Sequence, residues 1–176
     1  MGETRWLDED EQRAWRTFLW ASRLLHESLD RQLQRDAGMP HTYYMILAML
    51  SEAPGRAMTM TDLARLVRSS PSRLSHAVAK LEAQGWVTRR KRPGDARTNV
   101  ATLTPEGFAA LAAAAPGHVE EVRRALFDQL TPDQVHQLQK IFENVLDTLA
   151  SSDVGQTPEA SSRHPGSGTW RPSANL

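Results

Sequence analysis

The stretch from Thr59 to Leu103 constrains this chain more than any other: TMTDLARLVRSSPSRLSHAVAKLEAQGWVTRRKRPGDARTNVATL. Two short amphipathic segments come first, divided by a few polar residues. A Gly-Trp pair then leads into a strand-like run, an arginine-rich tip containing Pro-Gly, and a second strand-like run. That order is the order of a winged helix-turn-helix, which sets one helix in a DNA groove and a hairpin beside it. Charge agrees with the pattern. From Arg65 to Arg97 there are nine Lys/Arg against two acids, Glu82 and Asp95, an excess suited to a phosphate-binding face.

The basic stretch is offset elsewhere, because the 176 residues carry 21 basic and 21 acidic side chains. Acids gather near the N-terminus at Glu3, Asp8, Glu9, Asp10 and Glu11. With 40% hydrophobic residues the chain can bury a core, and one domain is expected. It has no cysteine, which excludes disulfides, thiol chemistry and thiolate-held zinc. No apolar run reaches the length of a membrane span and no basic-then-apolar leader opens the sequence, so the cytoplasm is the expected compartment.

Residues 1–7 read as a flexible tail. Asp8 and Glu11 have capping-box spacing, and the helix they open carries Trp15, Phe18, Leu19, Ser22, Leu25, Leu29 and Leu33 on one face. Trp20 and Leu24 widen that stripe. Gly38 is the expected stop, and Pro40 opens a helix that ends at Pro54-Gly55. Thr59 and Asp62 repeat the capping pattern, with Leu63, Leu66 and Val67 behind them. Ser70 is a good N-cap and Pro71 a good first helical residue. The helix that follows turns Leu74, Val78 and Leu81 inward and stops at Gly85.

Trp86 to Thr88 and Thr98 to Leu103 are the expected strands, with residues 90–97 as the tip between them. Thr104-Pro105-Glu106 starts an alanine-rich helix that Pro116-Gly117 is expected to kink or break, before it resumes through Val119, Val122, Leu126 and Phe127. Thr131-Pro132-Asp133 starts the last helix, whose stripe is Val135, Leu138, Ile141, Phe142, Val145, Leu146 and Leu149. Residues 151–176, rich in Ser, Pro and Gly, are expected to be disordered.

The fold expected is mainly α with a small two- to three-stranded antiparallel wing. Residues 8–38 and 104–150 would supply dimerisation helices around a DNA-binding module at residues 40–103. Apolar stripes larger than the module can cover point to a homodimer.

Together these residues resemble the MarR family of dimeric winged helix-turn-helix transcription regulators, in element order from Trp15 to Leu149. The motifs that carry the resemblance are Leu81-Glu82-x-x-Gly85-Trp86-Val87-x-Arg89, then Asp95-x-Arg97, then Leu103-Thr104-x-x-Gly107. The resemblance implies bacterial repressor-type regulation, a pseudo-palindromic operator and a small-molecule effector.

Candidate DNA contacts on the second helix are Ser70, Ser72, Arg73, Ser75, His76 and Lys80. Arg73 suits bidentate contact with guanine, and phosphate contact alone is the competing reading. His76 stands where the resemblance leads one to expect arginine. Arg97 resembles the family's minor-groove wing arginine and Asp95 the acid that orients it. An ordinary turn with a surface ion pair is the alternative. Arg89, Arg90, Lys91 and Arg92 read as electrostatic supports.

Trp15, Ser22, His26, His41, Tyr43, Tyr44 and Arg65 are candidates for a pocket holding an aromatic carboxylate, with plain core and interface packing as the competing reading. No cofactor is expected, and no enzyme motif such as a phosphate loop, HExxH or serine elbow is present. A metal-responsive regulator would use pairs such as His26/Asp30 or His118/Glu121, but no HxxxH spacing supports it. A winged helix used for protein contact would be expected to carry a less basic face.

Overall fold

A computed structural model of the chain describes residues 3–153. Capping signals in the sequence translate into hydrogen bonds. Asp8 Oδ1 accepts from the Glu11 N–H (2.8 Å) and Glu11 Oε2 accepts from the Asp8 N–H (3.0 Å), which closes the box that starts helix α1, Glu9–Ala37. Helix α2, His41–Glu52, follows Pro40 at its N-cap. A 3-10 turn over Pro54–Arg56 leads to strand β1, Ala57–Thr59, which the residue pattern had not singled out. Helix α3, Met60–Leu66, is capped by Thr59, whose hydroxyl accepts from the Asp62 N–H at 3.1 Å and donates to the Asp62 carboxylate at 2.6 Å. Helix α4, Pro71–Ala83, begins at the Ser70 cap.

Strand β2 is Val87–Arg92 and strand β3 is Asp95–Leu103. They pair antiparallel, from Val87 opposite Leu103 to Arg92 opposite Asp95, with a bulge between Lys91 and Arg92. Strand β1 pairs with the other edge of β3, giving the order β1-β3-β2. The expected eight-residue tip is therefore corrected: Arg90 to Arg92 and Asp95 to Arg97 lie in paired strands, and only Pro93-Gly94 turns. Lysine and arginine carry little intrinsic strand preference, so the pairing of β2 with β3 decides.

Helix α5, Pro105–Ala125, corrects the expected break at Pro116-Gly117. It runs without a break through Pro116, and the helical run ends at Ala125 in place of continuing to Phe127, which sits in a 3-10 turn over Phe127–Gln129. An internal proline costs a helix roughly 3 kcal/mol in isolation. Here α5 packs along α1 and against α2, with Leu111, Ala114, Ala115 and His118 buried, and that packing holds the helix together. Gly117 assists, because a Cβ there would sit 3.1 Å from Gln32 Nε2 of α1.

Helix α6, Pro132–Asp153, starts where the Thr131 signal placed it. It continues three residues into the segment expected to be disordered; the remainder of that segment lies outside the described residues, as do the first two residues of the N-terminal tail. Leu33, Ile46, Leu47, Leu63, Leu74, Val78, Leu81, Val87 and Leu111 form one core joining α1 through α5 and the sheet. The outer halves of α1 and α6 contribute little to it. Trp15 is 51% exposed, Trp20 65%, Ile141 57% and Leu149 60%, and the two helices meet through Phe18 and Phe142 at 5.8 Å between ring centres.

Candidate nucleic-acid interface

Helix α4 has two faces set by its 3.6-residue period. Leu74, Ala77, Val78 and Leu81 are buried, while Ser72, Arg73, His76 and Lys80 are exposed on the far side. Ser70 accepts the Arg73 N–H at 3.3 Å, and Pro71 takes the first helical position where no N–H is needed. The turn before the helix is tight: Arg68 adopts a left-handed backbone with φ 49°, and the Ser69 N–H reaches Ala64 O at 3.0 Å.

At the other end Gly85, with φ 74°, reverses the chain, and the Trp86 N–H bonds Leu81 O at 3.0 Å in a Schellman-type closure. Only glycine takes that backbone without strain. The chain passes directly into β2, so the helix and the wing share one short, bonded joint.

The same joint explains the spacing Leu103-Thr104-x-x-Gly107. Thr104 Oγ1 donates to Gly85 O at 2.7 Å and accepts the Gly107 N–H at 3.0 Å, while the Thr104 N–H bonds Trp86 O at 3.0 Å. Gly107 is buried under the Trp86 carbonyl, where a Cβ would lie 2.1 Å from the oxygen. Threonine and glycine are thus needed to seat α5 against the end of α4.

In the wing, Asp95 Oδ1 accepts the Arg97 backbone N–H at 2.9 Å and Oδ2 accepts the Thr98 hydroxyl at 2.6 Å. These bonds, the Thr98 hydroxyl first, hold the carboxyl below the usual range. The acid therefore fixes the backbone that carries Arg97, whose side chain is exposed along with Arg90, Lys91 and Arg92. Arg89 departs from this group. It is only part-exposed and turns back onto α4, with Nη1 donating to Ser75 Oγ at 3.2 Å and Nη2 3.1 Å from Glu82 Oε2.

The residues proposed for a small-molecule pocket separate. Trp15 lies with Trp6, Leu7, Gln12 and Arg16 in a groove at the start of α1. Arg65 pairs with Asp62 on α3, and the Ser22 hydroxyl donates to its own helix at Leu19 O. Tyr43 is half-buried against the core. His26, His41 and Tyr44 do converge, through a residue weighed in the sequence only as a metal ligand. His118 of α5 has its ring 5.6 Å from His41 and 4.3 Å from Tyr44, and His41 is 6.1 Å from His26.

Burial, and then the neighbouring His41, pushes His118 down to about 4, and burial also lowers His41. The His41 backbone N–H donates to Asp30 Oδ1 at 2.8 Å, tying α2 to α1. Beside these rings, α2 and α5 enclose a groove of about 500 Å³ walled by Met45, Met49, Val119, Val122 and Phe127, with Arg123 and Glu52 at its polar rim. In the sequence Val119, Val122 and Phe127 form only a helical stripe, and their pairing with α2 has no local signature. Among the described residues no group of three or more His, Cys, Asp or Glu is arranged to hold a metal ion, and no helix is long and apolar enough to cross a membrane.

Comparison with known proteins agrees with this geometry. The MarR family model matches residues 37–98. Sco3205, a MarR family transcriptional regulator from Streptomyces coelicolor solved in complex with DNA, is 51% identical, over 82% of this chain and 94% of that one, with a TM-score of 0.79. AbsC, a MarR family transcriptional regulator from the same organism, is 40% identical over 87% of this chain and all of that one, with a TM-score of 0.77. BldR, a transcriptional regulator from Sulfolobus solfataricus, shares the fold at 23% identity, 78% and 99% coverage and a TM-score of 0.66. No match was found among curated proteins. With its winged helix and two relatives of such identity aligned over most of their length, the chain belongs to the MarR family of transcriptional regulators.

Proposed function

We propose that this protein is a sequence-specific double-stranded-DNA-binding regulator, acting in the cytoplasm as a homodimer on a two-fold-related operator, with repression as the outcome. The observation that carries the reading is the exposed face of α4, with Ser72, Arg73, His76 and Lys80, set beside a hairpin bearing exposed Arg90, Lys91, Arg92 and Arg97. A helix of that width enters a major groove, where the fork of Arg73 matches the two acceptors on a guanine edge. Arg97, on a strand next to the turn, is suited to the narrow, electronegative minor groove. Ser70 at the helix N-terminus adds a site for phosphate. The relative in complex with DNA supports the same reading.

The dimer is supported by the unburied apolar faces of α1 and α6, an arrangement that a lone protomer would leave in water. The domain division follows: residues 8–38 and 104–150 would join the protomers, and residues 40–103 would meet DNA. An effector with an apolar body and one acidic group suits the groove between α2 and α5, where it would take over Arg123 from Asp128, its partner at 3.0 Å. Its occupation would act on α5, which links the joining helices to the DNA module.

The reading is tested with a duplex selected by the protein from random DNA. Arg97→Ala should weaken binding and reduce the slope of log affinity against log salt by roughly one to two for a dimer. An unchanged slope removes Arg97 from the phosphate contacts. For the effector, a panel of phenolic and carboxylic compounds should include one that raises the melting temperature and loosens DNA; none doing so withdraws the effector.

A further inference from the structure

Among the described wing residues, Arg89 is the arginine whose side chain is bonded back onto α4. Its guanidinium bridges two α4 residues seven positions apart, the Ser75 hydroxyl and the Glu82 carboxylate, at 3.2 and 3.1 Å. Seven residues are about two helical turns. Side chains on a helix lean toward its N-terminus, which brings the long Glu82 arm back toward Ser75 and lets one planar fork reach both. The Arg89 and Glu82 side chains are 29% and 28% exposed, so water competes less for this bridge than for the exposed ion pairs of α1. Ser75 and Glu82 lie on the side of α4 turned toward β2, off the exposed face of Ser72, Arg73, His76 and Lys80.

We propose that Arg89 is a positioning residue: by gripping α4 at two points from the root of the wing, it fixes the rotation of the reading helix against the hairpin and so determines sequence discrimination without itself touching DNA. The inference rests on the DNA-reading function above and assigns Arg89 a role different from electrostatic support. It also explains why an acid stands inside so basic a segment. Glu82 does not weaken a phosphate contact there; it holds the arginine that aims the helix. A lysine could replace a phosphate contact, being a point charge of the same sign, but it could not bridge two acceptors as a planar fork does.

The test measures affinity for the duplex that the wild-type protein selects from random DNA and for a scrambled duplex of equal length, across a salt series. Arg89→Met, Arg89→Lys and Glu82→Gln are compared with wild type, with thermal unfolding as a check that each is folded. The expected result is that all three lower the selected-to-scrambled affinity ratio, by about tenfold, the size of one lost base-pair preference, while the salt slope stays within half a unit of wild type. If Arg89 touches phosphate, Arg89→Met reduces the slope by about two per dimer, Arg89→Lys restores it, and Glu82→Gln tightens binding to both duplexes. That pattern overturns the inference while leaving the DNA-binding function standing. A wild-type protein that prefers no duplex overturns both. Should Arg89→Met unfold, Glu82→Gln decides alone, because loss of an acid lowers discrimination only through the bridge.

Discussion

His118 sits between Tyr44 and His41 with 9% of its surface exposed, and the fold resists putting a proton on it. Burial comes first among the causes, and the facing His41 adds to it; Glu121 opposes weakly, being already engaged by Arg124 and Ser28. Because its folded-state value is depressed to about 4 from an ordinary 6.5, the unfolded chain binds more protons between those limits. Stability should therefore fall as pH drops from about 6.5 toward 4, by at most about 3 kcal/mol from this group. Denaturant titrations at pH 7.5 and 5 should show the loss in the wild type, and His118→Gln should flatten the difference. A wild type equally stable at both pH values would remove the argument.

Residue identity in the sequence was a good guide where one side chain meets its own helix, as at Asp8, Thr59, Ser70 and Thr104. It was a poor guide for His118, whose partners come from α2. The same holds for Arg89, which looks like its neighbours Arg90 and Arg92 until β2 is laid beside α4.

Among the elements, α4 was legible because its apolar spacing alone separates a buried face from an exposed one. Its joint to α5 was legible only as a motif, and the geometry supplies the reason. With the Trp86 carbonyl 2.1 Å from where a Cβ would sit, Gly107→Ala must push α5 off the end of α4. It should cost about 2–3 kcal/mol by the usual scale of overpacking, read as a lower denaturation midpoint, and should reduce DNA affinity even though residue 107 lies behind the interface. A midpoint within experimental error of wild type would show that the joint can give. The wing strands were not legible to their full length, since Arg-Arg-Lys-Arg has neither alternation nor strand preference. Continuity of α5 through Pro116 was hidden for a related reason: local rules weigh the lost backbone bond but not the packing of α1 along the helix.

At the scale of the molecule, the outer turns of α1 and α6 leave apolar stripes in water. Trp15, Phe18, Leu19, Val145 and Leu146 are all between 44% and 51% exposed, on the N-terminal half of α1 and on α6, which meet through Phe18 and Phe142. A second copy would bury these stripes and present two reading helices about one helical turn of DNA apart, roughly 34 Å. Leu146→Glu should then shift the sedimenting species from dimer toward monomer and lower affinity for the selected duplex at least tenfold, because half the contacts are lost. A wild-type protein that sediments as a monomer at micromolar concentration contradicts this account of the faces. The apolar surplus was legible in the sequence; which surface covers it was not, since periodicity records that a face is apolar and nothing about its partner.

Selection of bound sites from random double-stranded DNA, followed by a count of chains per selected duplex, tests the central claim most directly. The account predicts an enriched site with two-fold symmetry, half-sites centred about 10 base pairs apart, and two chains on each duplex. Enrichment of no sequence, or of an asymmetric site holding one chain, would contradict it.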